Sequence, residues 1–238
     1  PFILCPSNPN IIYAGGDYLQ VSLDGGLSFS QAGNNPINNG AKILSIAVSS
    51  TYEDSVYLTT APDATNAMKI WRSTNGGATL TDISAGLPNR YLREIVVDPN
   101  NSRTIYALFS GFGTGHVFKS TNAGTAWTNI SITLPDMPFH CLAVDPMYPN
   151  NLFAGCDFGI FLSQDGGNTW TTYNTGFPDA VMIFDLVVSP SDRRLMAFTH
   201  GHGTYVRKLS DAVGINEASP SLASLSVFPN PATDFIFV

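Results

Sequence analysis

Three aspartates in this sequence have the chemistry of catalytic acids and bases: Asp63, Asp136 and Asp179. Two carboxylates on either side of a cleft act as the acid and as the base or nucleophile of glycoside hydrolysis. Asp136 and Asp179 also have a second interpretation, in which each caps a turn after a proline, as Asn89 does. We favour the turn role for these two residues. All three aspartates therefore stay candidates only, and the catalytic residues are unassigned.

Two histidines in one glycine-rich stretch, His200 and His202, have the spacing of neighbouring metal ligands in a loop. Catalytic zinc sites need three protein ligands, and structural sites need four. No further ligand lies nearby in the sequence, so His140 or an aspartate from elsewhere in the chain would have to complete the set. The sequence therefore predicts no metal and no cofactor.

The three cysteines, Cys5, Cys141 and Cys156, cannot all pair within one chain. Cys141 and Cys156 lie on strands that we expect to be adjacent, where opposed Cβ atoms approach to about 5 Å. Because a disulfide across two strands is geometrically tight, we expect these two thiols to be packed and free.

An eight-residue pattern occurs four times, with Ser first, Asp or Asn third, Gly fifth and Phe, Leu or Trp eighth. Asp or Asn followed by Gly tolerates the positive φ of a tight reversal, so each copy predicts a hairpin turn between antiparallel strands. In the third copy Ala123 replaces the first Gly, and we expect Asn122 to take the positive φ there. The predicted turn residues are Ser22, Asp24 and Gly26; Ser73, Asn75 and Gly77; Ser120, Asn122 and Gly124; and Ser163, Asp165 and Gly167.

The fourth copy, SQDGGNTW at residues 163–170, resembles the Asp-box, also called the bacterial neuraminidase repeat (BNR). In families that carry this box, it is a structural turn between the two outer strands of a β-propeller blade and lies away from the catalytic centre. The chain resembles in particular the propellers of sortilin and of xyloglucanases. This resemblance implies a propeller fold and a structural role for the box residues.

Five apolar segments recur every 44 to 49 residues, and most of them end at a proline. This period, with several short strands per unit, is typical of propeller blades, and each apolar segment predicts an innermost strand. The fold class is therefore all-β, a β-propeller fragment of about five four-stranded blades over residues 1–209. The fifth unit lacks a box and resembles a closing blade. We expect further blades upstream, because open ends would expose apolar sheet faces.

Residues 210–221 lose the strand periodicity and predict a linker. Residues 222–238 contain the sequence VFPNPA at 227–232, which resembles the opening of a type IX secretion C-terminal sorting domain, a small β-sandwich. The resemblance implies recognition by the type IX secretion machinery and a secreted or outer-membrane surface-attached location. The alternative is that Asn230-Pro231 is one more turn.

The charge balance and the hydropathy pattern argue against nucleic-acid binding and against a transmembrane segment. The 238 residues include 11 basic and 18 acidic side chains, for a formal net charge of −7. A nucleic-acid-binding surface needs clustered Lys and Arg, so we expect no nucleic-acid partner. No apolar run reaches the ~20 residues that span a bilayer, so we expect no transmembrane segment.

Two functions are consistent with these residues. The first is a binding or interaction module for an extracellular polysaccharide or protein ligand, because every recurrent polar residue has a turn role. The second is a polysaccharide hydrolase similar to the xyloglucanases, with two carboxylates drawn from Asp63, Asp136, Asp179 and Asp185. Its sugar-stacking platforms would be the aromatic residues Tyr91, Phe112 and Phe139.

A sialidase is disfavoured by the arginines. Sialidases of this fold need three of them to hold the substrate carboxylate. Only Arg90 and Arg93 adjoin the expected cleft face.

Overall fold

The computed structural model describes residues 1–33, 36–178 and 180–209, together with the backbone of residues 226–228 and 236–237. This part of the chain is all-β apart from a short 3₁₀ turn at Ile37–Gly40, and it has no helix long and apolar enough to cross a membrane. The strands are β1 (Phe2–Cys5), β2 (Asn8–Gly15), β3 (Leu19–Ser22), β4 (Ser30–Ala32), β5 (Ile43–Val48), β6 (Val56–Thr60), β7 (Lys69–Ser73), β8 (Thr81–Asp82), β9 (Leu92–Asp98), β10 (Asn101–Phe109), β11 (Val117–Ser120), β12 (Thr128–Asn129), β13 (Phe139–Val144), β14 (Leu152–Cys156), β15 (Gly159–Ser163), β16 (Thr171–Thr172), β17 (Ile183–Ser189), β18 (Arg194–Thr199), β19 (Thr204–Lys208), β20 (Ser226–Phe228) and β21 (Ile236–Phe237).

These strands form five antiparallel sheets, and the strands of each sheet are consecutive in the chain. The first four sheets are β1 to β4, β5 to β8, β9 to β12 and β13 to β16, and the fifth is β17 to β21. The predicted all-β fold of five antiparallel blades is therefore confirmed.

The fifth blade differs from the prediction in the source of its fourth strand. Strand β20 pairs with β19, with Val227 opposite Tyr205. Residues 1–209 therefore supply only three strands of this blade, and the segment predicted as the start of a sorting domain supplies the next one. Most of residues 210–238 lie outside the described residues, so the linker and sorting-domain boundaries stay a prediction.

Consecutive blades pack through their first strands, with β1 against β5, β5 against β9, β9 against β13 and β13 against β17. Within the described chain, one buried apolar cluster fills each of the four junctions between blades. At the same inner-strand position, Ile46, Ile95, Leu142 and Leu186 are all at most 7% exposed, whereas Phe2 of the first blade is 76% exposed. The residue at this position is therefore buried where a preceding blade covers it and exposed where none does, as in other stacked-repeat folds.

Each box forms the same hydrogen-bonded turn. In the fourth copy the Ser163 hydroxyl donates to Asp165 Oδ1 at 2.8 Å and accepts the Gly167 N–H at 2.8 Å, while Asp165 Oδ1 accepts the Thr169 N–H at 2.9 Å. The other three copies repeat these bonds at 2.7 to 2.9 Å. The pKa of Asp24 and that of Asp165 are each lowered to about 2. The largest cause is a hydrogen bond from a hydroxyl group, that of Ser28 for Asp24 and that of Thr169 for Asp165.

The third box corrects one expectation. Ala123 itself has a φ of 59°, so the prediction that Asn122 takes the positive φ is wrong. The Ala123 N–H donates to Arg103 O at 2.8 Å, and the first glycine of the other three boxes donates to a carbonyl at or just before the start of the second strand of its blade, namely Asn10, Asp54 or Asn150. That bond fixes the backbone conformation of this position whichever residue occupies it. Turn propensities alone do not predict such a bond.

The tryptophan at the end of a box contacts the preceding blade. Trp170 Nε1–H donates to Ile130 O at 2.7 Å, and Trp127 Nε1–H donates to Ile83 O at 2.8 Å. Trp170 is 7% exposed, whereas Phe29, the equivalent residue of the first box, is 46% exposed. The box therefore joins two blades as well as turning the chain.

A Trp170→Phe variant is expected to lower the free energy of unfolding by about 1–3 kcal/mol, because the Ile130 carbonyl loses its buried donor. The matched control is Phe29→Leu at the exposed box, for which a change within about 0.5 kcal/mol is expected. Chemical denaturation of both variants checks the prediction, and equal losses would contradict a role for the indole bond in joining the blades.

Candidate functional site

A β-bulge recurs near the start of four inner strands. In β13, Phe139 pairs with Cys156 and Cys141 pairs with Gly155, so His140 is the extra residue. The same irregularity makes the extra residue Leu44 in β5, Arg93 in β9 and Phe184 in β17. Bulges re-aim side chains and are over-represented beside active sites, so the residues at this position are candidates for a functional site.

The bulge residues of the fourth and fifth blades contact each other. The rings of His140 and Phe184 lie 5.4 Å apart between centroids, and the ring of Phe184 lies 5.5 Å from that of His200 in an edge-on arrangement. His140 Nε2 is 2.7 Å from Asp157 Oδ1, which orients the imidazole. Phe184 is 39% exposed, so this aromatic row presents an accessible ring.

In the second, third and fourth blades, the residue after the bulge contacts the next blade. Ser45 Oγ accepts the Ile95 N–H at 3.3 Å, and Glu94 Oε2 accepts the Leu142 N–H at 2.8 Å. Cys141 Sγ lies 3.8 Å from the Ile183 carbonyl oxygen. In the fifth blade the equivalent residue is Asp185, whose Oδ1 accepts the N–H of its own neighbour, Leu186.

Glu94, Cys141 and Asp185 influence one another electrostatically. Burial raises the pKa of Glu94 to about 7, and the nearby Asp185 carboxylate adds to the rise, while the Leu142 N–H and Arg93 oppose it. Burial also raises the pKa of Asp185. The pKa of the Cys141 thiol is raised by burial first and then by the two carboxylates. We call Arg93, Glu94, His140, Asp157, Phe184 and Asp185 the bulge cluster.

A Glu94→Gln variant is expected to remove a pH dependence of stability. Since the pKa is raised from 4.5 to about 7 on folding, the folded state binds more protons between these values, and stability falls as the pH rises through this window. Across the whole window, the free energy of unfolding falls by about 3 kcal/mol. The variant should match the native protein near pH 4.5 and exceed its stability by about 1–3 kcal/mol near pH 8.

Denaturation at the two pH values measures this difference. Glu53→Gln, at an exposed position, is the matched control, and it should leave the native pH dependence in place. A Glu94→Gln variant with the native pH slope would show that this carboxyl is not the group that titrates.

Of the three predicted catalytic aspartates, Asp63 is enclosed in its own turn. Its carboxylate accepts the backbone N–H groups of Thr65 and Asn66 and both of their side-chain donors, at 2.7 to 2.8 Å. The Asn66 amide is the largest cause that holds the pKa of this carboxyl well below its usual range. A carboxylate with four donors has the bonding of a turn cap.

Asp136 also bonds to a loop. Its two oxygens lie 2.8 and 3.0 Å from the Gly113 nitrogen, and its Oδ1 lies 3.3 Å from Nε2 of the buried His116. Asp179 lies outside the described residues. No contact among the described residues brings Asp63 and Asp136 together or joins either to the bulge cluster. Four carboxylates were offered for the hydrolase, and among the described residues only Asp185 belongs to the cluster.

The aromatic platforms proposed for a hydrolase fall into two groups. Tyr91 and Phe112 are 48% and 64% exposed, but Phe139 is fully buried, so the expectation that Phe139 is a surface platform is wrong. It lies in the apolar cluster between the third and fourth blades and packs against the His116 ring at a centroid distance of 5.1 Å.

Among the described residues, neither a disulfide nor a cluster of metal ligands belongs to this site. Cys5, Cys141 and Cys156 are all buried and free. No group of three or more His, Cys, Asp or Glu side chains among these residues is arranged to hold a metal ion. His200 enters the aromatic row beside Phe184, while His202 is exposed in the hairpin turn before β19.

The sequence did not predict Glu94 as a site residue. Aligning the inner strands places Arg93, His140 and Phe184 at the same position of their strands, but a bulge has no sequence signature strong enough to predict that His140 and Phe184 come into contact. Without the bulge, Glu94 reads as a polar residue on a strand.

Five antiparallel blades in chain order, four of which have an Asp-box turn between their third and fourth strands, define an all-β protein with the fold of BNR-type propellers. In agreement with this class, residues 68–176 match the family model Sortilin-Vps10, described as "Sortilin, neurotensin receptor 3". No curated protein sequence matches the chain.

Solved structures show the same fold. The GH74 xyloglucanase from Xanthomonas campestris gives a TM-score of 0.67 at 16% identity, over 87% of this chain and 35% of that one. The GH74 enzyme from Niastella koreensis gives 0.68 at 22% identity, over 90% and 36%. YCF48 from Cyanidioschyzon merolae gives 0.61 at 15% identity, over 91% and 68%. The chain thus spans about a third of the GH74 chains, and these similarities concern the fold alone.

Proposed function

We propose that the chain is a binding module whose ligand contacts the bulge cluster. The observation that carries this proposal is the convergence of inner-strand residues from successive blades on one accessible site. Phe184 offers a half-exposed ring between two imidazoles, and the cluster adds the carboxylates of Asp157 and Asp185 and the exposed guanidinium of Arg93. A flat apolar face bordered by hydrogen-bonding groups suits a sugar ring or a protein side chain.

The scaffold supports this function. Loops on a rigid framework are where binding residues concentrate. On this face the loops are tied to one another: Asn38 Nδ2 donates to Ala67 O at 3.0 Å, the Met68 N–H donates to Asn89 Oδ1 at 2.8 Å, and the Gly113 N–H donates to Asp136. A ligand at the bulge cluster would therefore meet a surface that is already ordered.

The test uses the full-length protein and two probe sets, soluble xyloglucan with related β-glucans and an array of extracellular peptides. A probe bound by the native protein should be bound at least about tenfold more weakly by Phe184→Ala, the loss of one aromatic contact. Phe112→Ala, an exposed loop residue outside the cluster, is the matched control. If Phe112→Ala abolished binding while Phe184→Ala left it intact, the ligand would sit elsewhere on the loops.

A polysaccharide hydrolase of the xyloglucanase type is the alternative, and one observation favours it. Glu94 has a pKa of about 7 and is electrostatically coupled to a second carboxyl, Asp185, and a pair of carboxyls with raised pKa is the pattern of a general acid and its partner. One carboxylate oxygen of Glu94, however, already accepts a hydrogen bond from the Leu142 N–H. Release of reducing sugars from xyloglucan by the full-length protein, lost in both Glu94→Gln and Asp185→Asn, would favour the hydrolase over the binding module.

We further propose that residues 222–238 begin a type IX sorting domain that directs the protein to the medium or the outer surface. The support is the VFPNPA sequence after a small-residue segment. Two truncations of the full-length protein test it, one after Leu209 and one after Phe228, which keeps β20 in the fifth sheet. Both should fold and be retained in the periplasm, and secretion of the chain truncated after Phe228 would refute the proposal.

A further inference from the structure

Two Asn-Gly dipeptides occur in this chain, at Asn39-Gly40 and Asn75-Gly76. In such a pair the backbone nitrogen of Gly loses its proton to base and attacks Cγ of Asn. The new N–Cγ bond closes a five-membered succinimide, the Cγ–Nδ2 bond breaks, and the amide leaves as ammonia. Water then opens the ring at either carbonyl to give aspartate or isoaspartate. Glycine permits this attack because it has no Cβ to obstruct it.

The box turn locks both reacting groups at Asn75. Its Oδ1 accepts the Ser73 hydroxyl at 2.9 Å and the Thr79 N–H at 2.9 Å, which hold Cγ in place. The attacking nitrogen is also engaged, because the Gly76 N–H donates to Asp54 O at 3.1 Å. Succinimide formation at this pair would have to break all three bonds.

Asn39 is held far more weakly. It is exposed, in the turn between β4 and β5, and its side-chain amide donates one bond of 3.2 Å to Asn66 Oδ1. Asn38 and Asn39 have φ values of 47° and 55°, and Gly40 has a φ of 88°. Consecutive left-handed residues cost free energy, so local opening that brings the Gly40 nitrogen to Cγ also relieves strain.

We propose that Asn39 is a site of spontaneous deamidation in the folded protein and that the Asp-box turn protects Asn75. The two pairs have the same local sequence chemistry, and the difference between them lies in the folded contacts. This inference does not depend on the function proposed for the bulge cluster.

Deamidation at Asn39 would loosen the loop that carries it. Asn66 Nδ2 donates to Asp63 Oδ2 at 2.8 Å, which leaves Asn66 Oδ1 directed at residue 39. A new carboxylate at residue 39 has no donor for that oxygen and repels it. The contact between the turn at residues 36–41 and the loop at residues 61–68 would then rest on the Asn38 bonds to Thr60 and Ala67.

Peptide mapping by mass spectrometry, after incubation of the folded protein in mildly alkaline buffer, tests the proposal. Conversion at Asn39 should be more than about tenfold faster than at Asn75, the effect of the additional hydrogen bonds that must break at Asn75. In denaturant the two sites should convert at similar rates, which shows that the fold creates the difference. Equal rates in the folded protein, or conversion at Asn75 ahead of Asn39, would overturn the proposal.

A Gly40→Ala variant isolates the chemistry. A Cβ at residue 40 meets no atom closer than 4.0 Å, so the variant bears only the conformational cost of its φ of 88°, about 1–2 kcal/mol, and should fold. The added methyl should slow conversion at Asn39 by more than about tenfold because it obstructs the attack. Conversion that continues at the native rate in this variant would exclude the succinimide route and with it the proposed site.

Discussion

An Arg193→Met variant is expected to lose about 3–5 kcal/mol of unfolding free energy, because it leaves a buried carboxylate without its counter-charge. Arg193 lies in the turn between β17 and β18, and its Nη1 donates to Asp145 Oδ1, in the turn after β13. The two side chains are 8% and 0% exposed. The ion pair therefore joins the fourth and fifth blades where water does not reach.

The neighbouring residue supplies the control. Arg194 Nε lies 3.3 Å from Asp192 Oδ2, but these side chains are 56% and 49% exposed, so Arg194→Met should change stability by less than about 0.5 kcal/mol. The double variant Arg193→Met with Asp145→Asn should recover part of the loss, because the unpaired charge is gone. Urea denaturation of the four proteins decides, and equal effects of Arg193→Met and Arg194→Met would show that the buried pair does not stabilise the junction.

The blade repeat was predictable from sequence because several signals agree. The Asp-box gives the turn chemistry, the apolar segments give the inner strands, and the 44- to 49-residue period gives the number of blades. The lengths of the outermost strands were not predictable in the same way. Strand β12 is only Thr128–Asn129, because the Trp127 indole bonds to the preceding blade and Ile130 packs into the junction with the fourth blade.

The bulge cluster could not be predicted in the same way, because it depends on contacts between blades. Whether Phe184 meets His140 is set by the bulge in each inner strand and by the rotation from one blade to the next, and neither is encoded in a local pattern. The same holds for Glu94, whose raised pKa results from burial against the fourth blade. Asp63, in contrast, was a catalytic candidate from the sequence, and its bonds to the immediate neighbours Thr65 and Asn66 are those of a turn cap.

A Gly167→Ala variant is expected to lose about 2–5 kcal/mol, from two separate costs. Gly167 has a φ of 101°, where a residue with a Cβ loses about 1–2 kcal/mol. An added Cβ would also lie 2.4 Å from Ile130 Cδ1 and 2.8 Å from Ile130 Cβ, and such overpacking typically costs about 1–3 kcal/mol. Ile130 cannot move away easily, because its carbonyl accepts the Trp170 indole N–H.

Gly111 separates the two costs, since its φ of 99° is nearly the same but nothing lies within 4 Å of a Cβ there. Gly111→Ala should therefore lose only the conformational part, about 1–2 kcal/mol. The remaining loss in Gly167→Ala should shrink when Ile130→Ala is added, which gives a favourable coupling of about 1–3 kcal/mol in a double-mutant cycle. If the two glycine variants lost the same free energy and the cycle showed no coupling, the fifth position of the box would need Gly only for its backbone. A measured coupling would instead mean that this Gly is required because the preceding blade packs directly onto the turn.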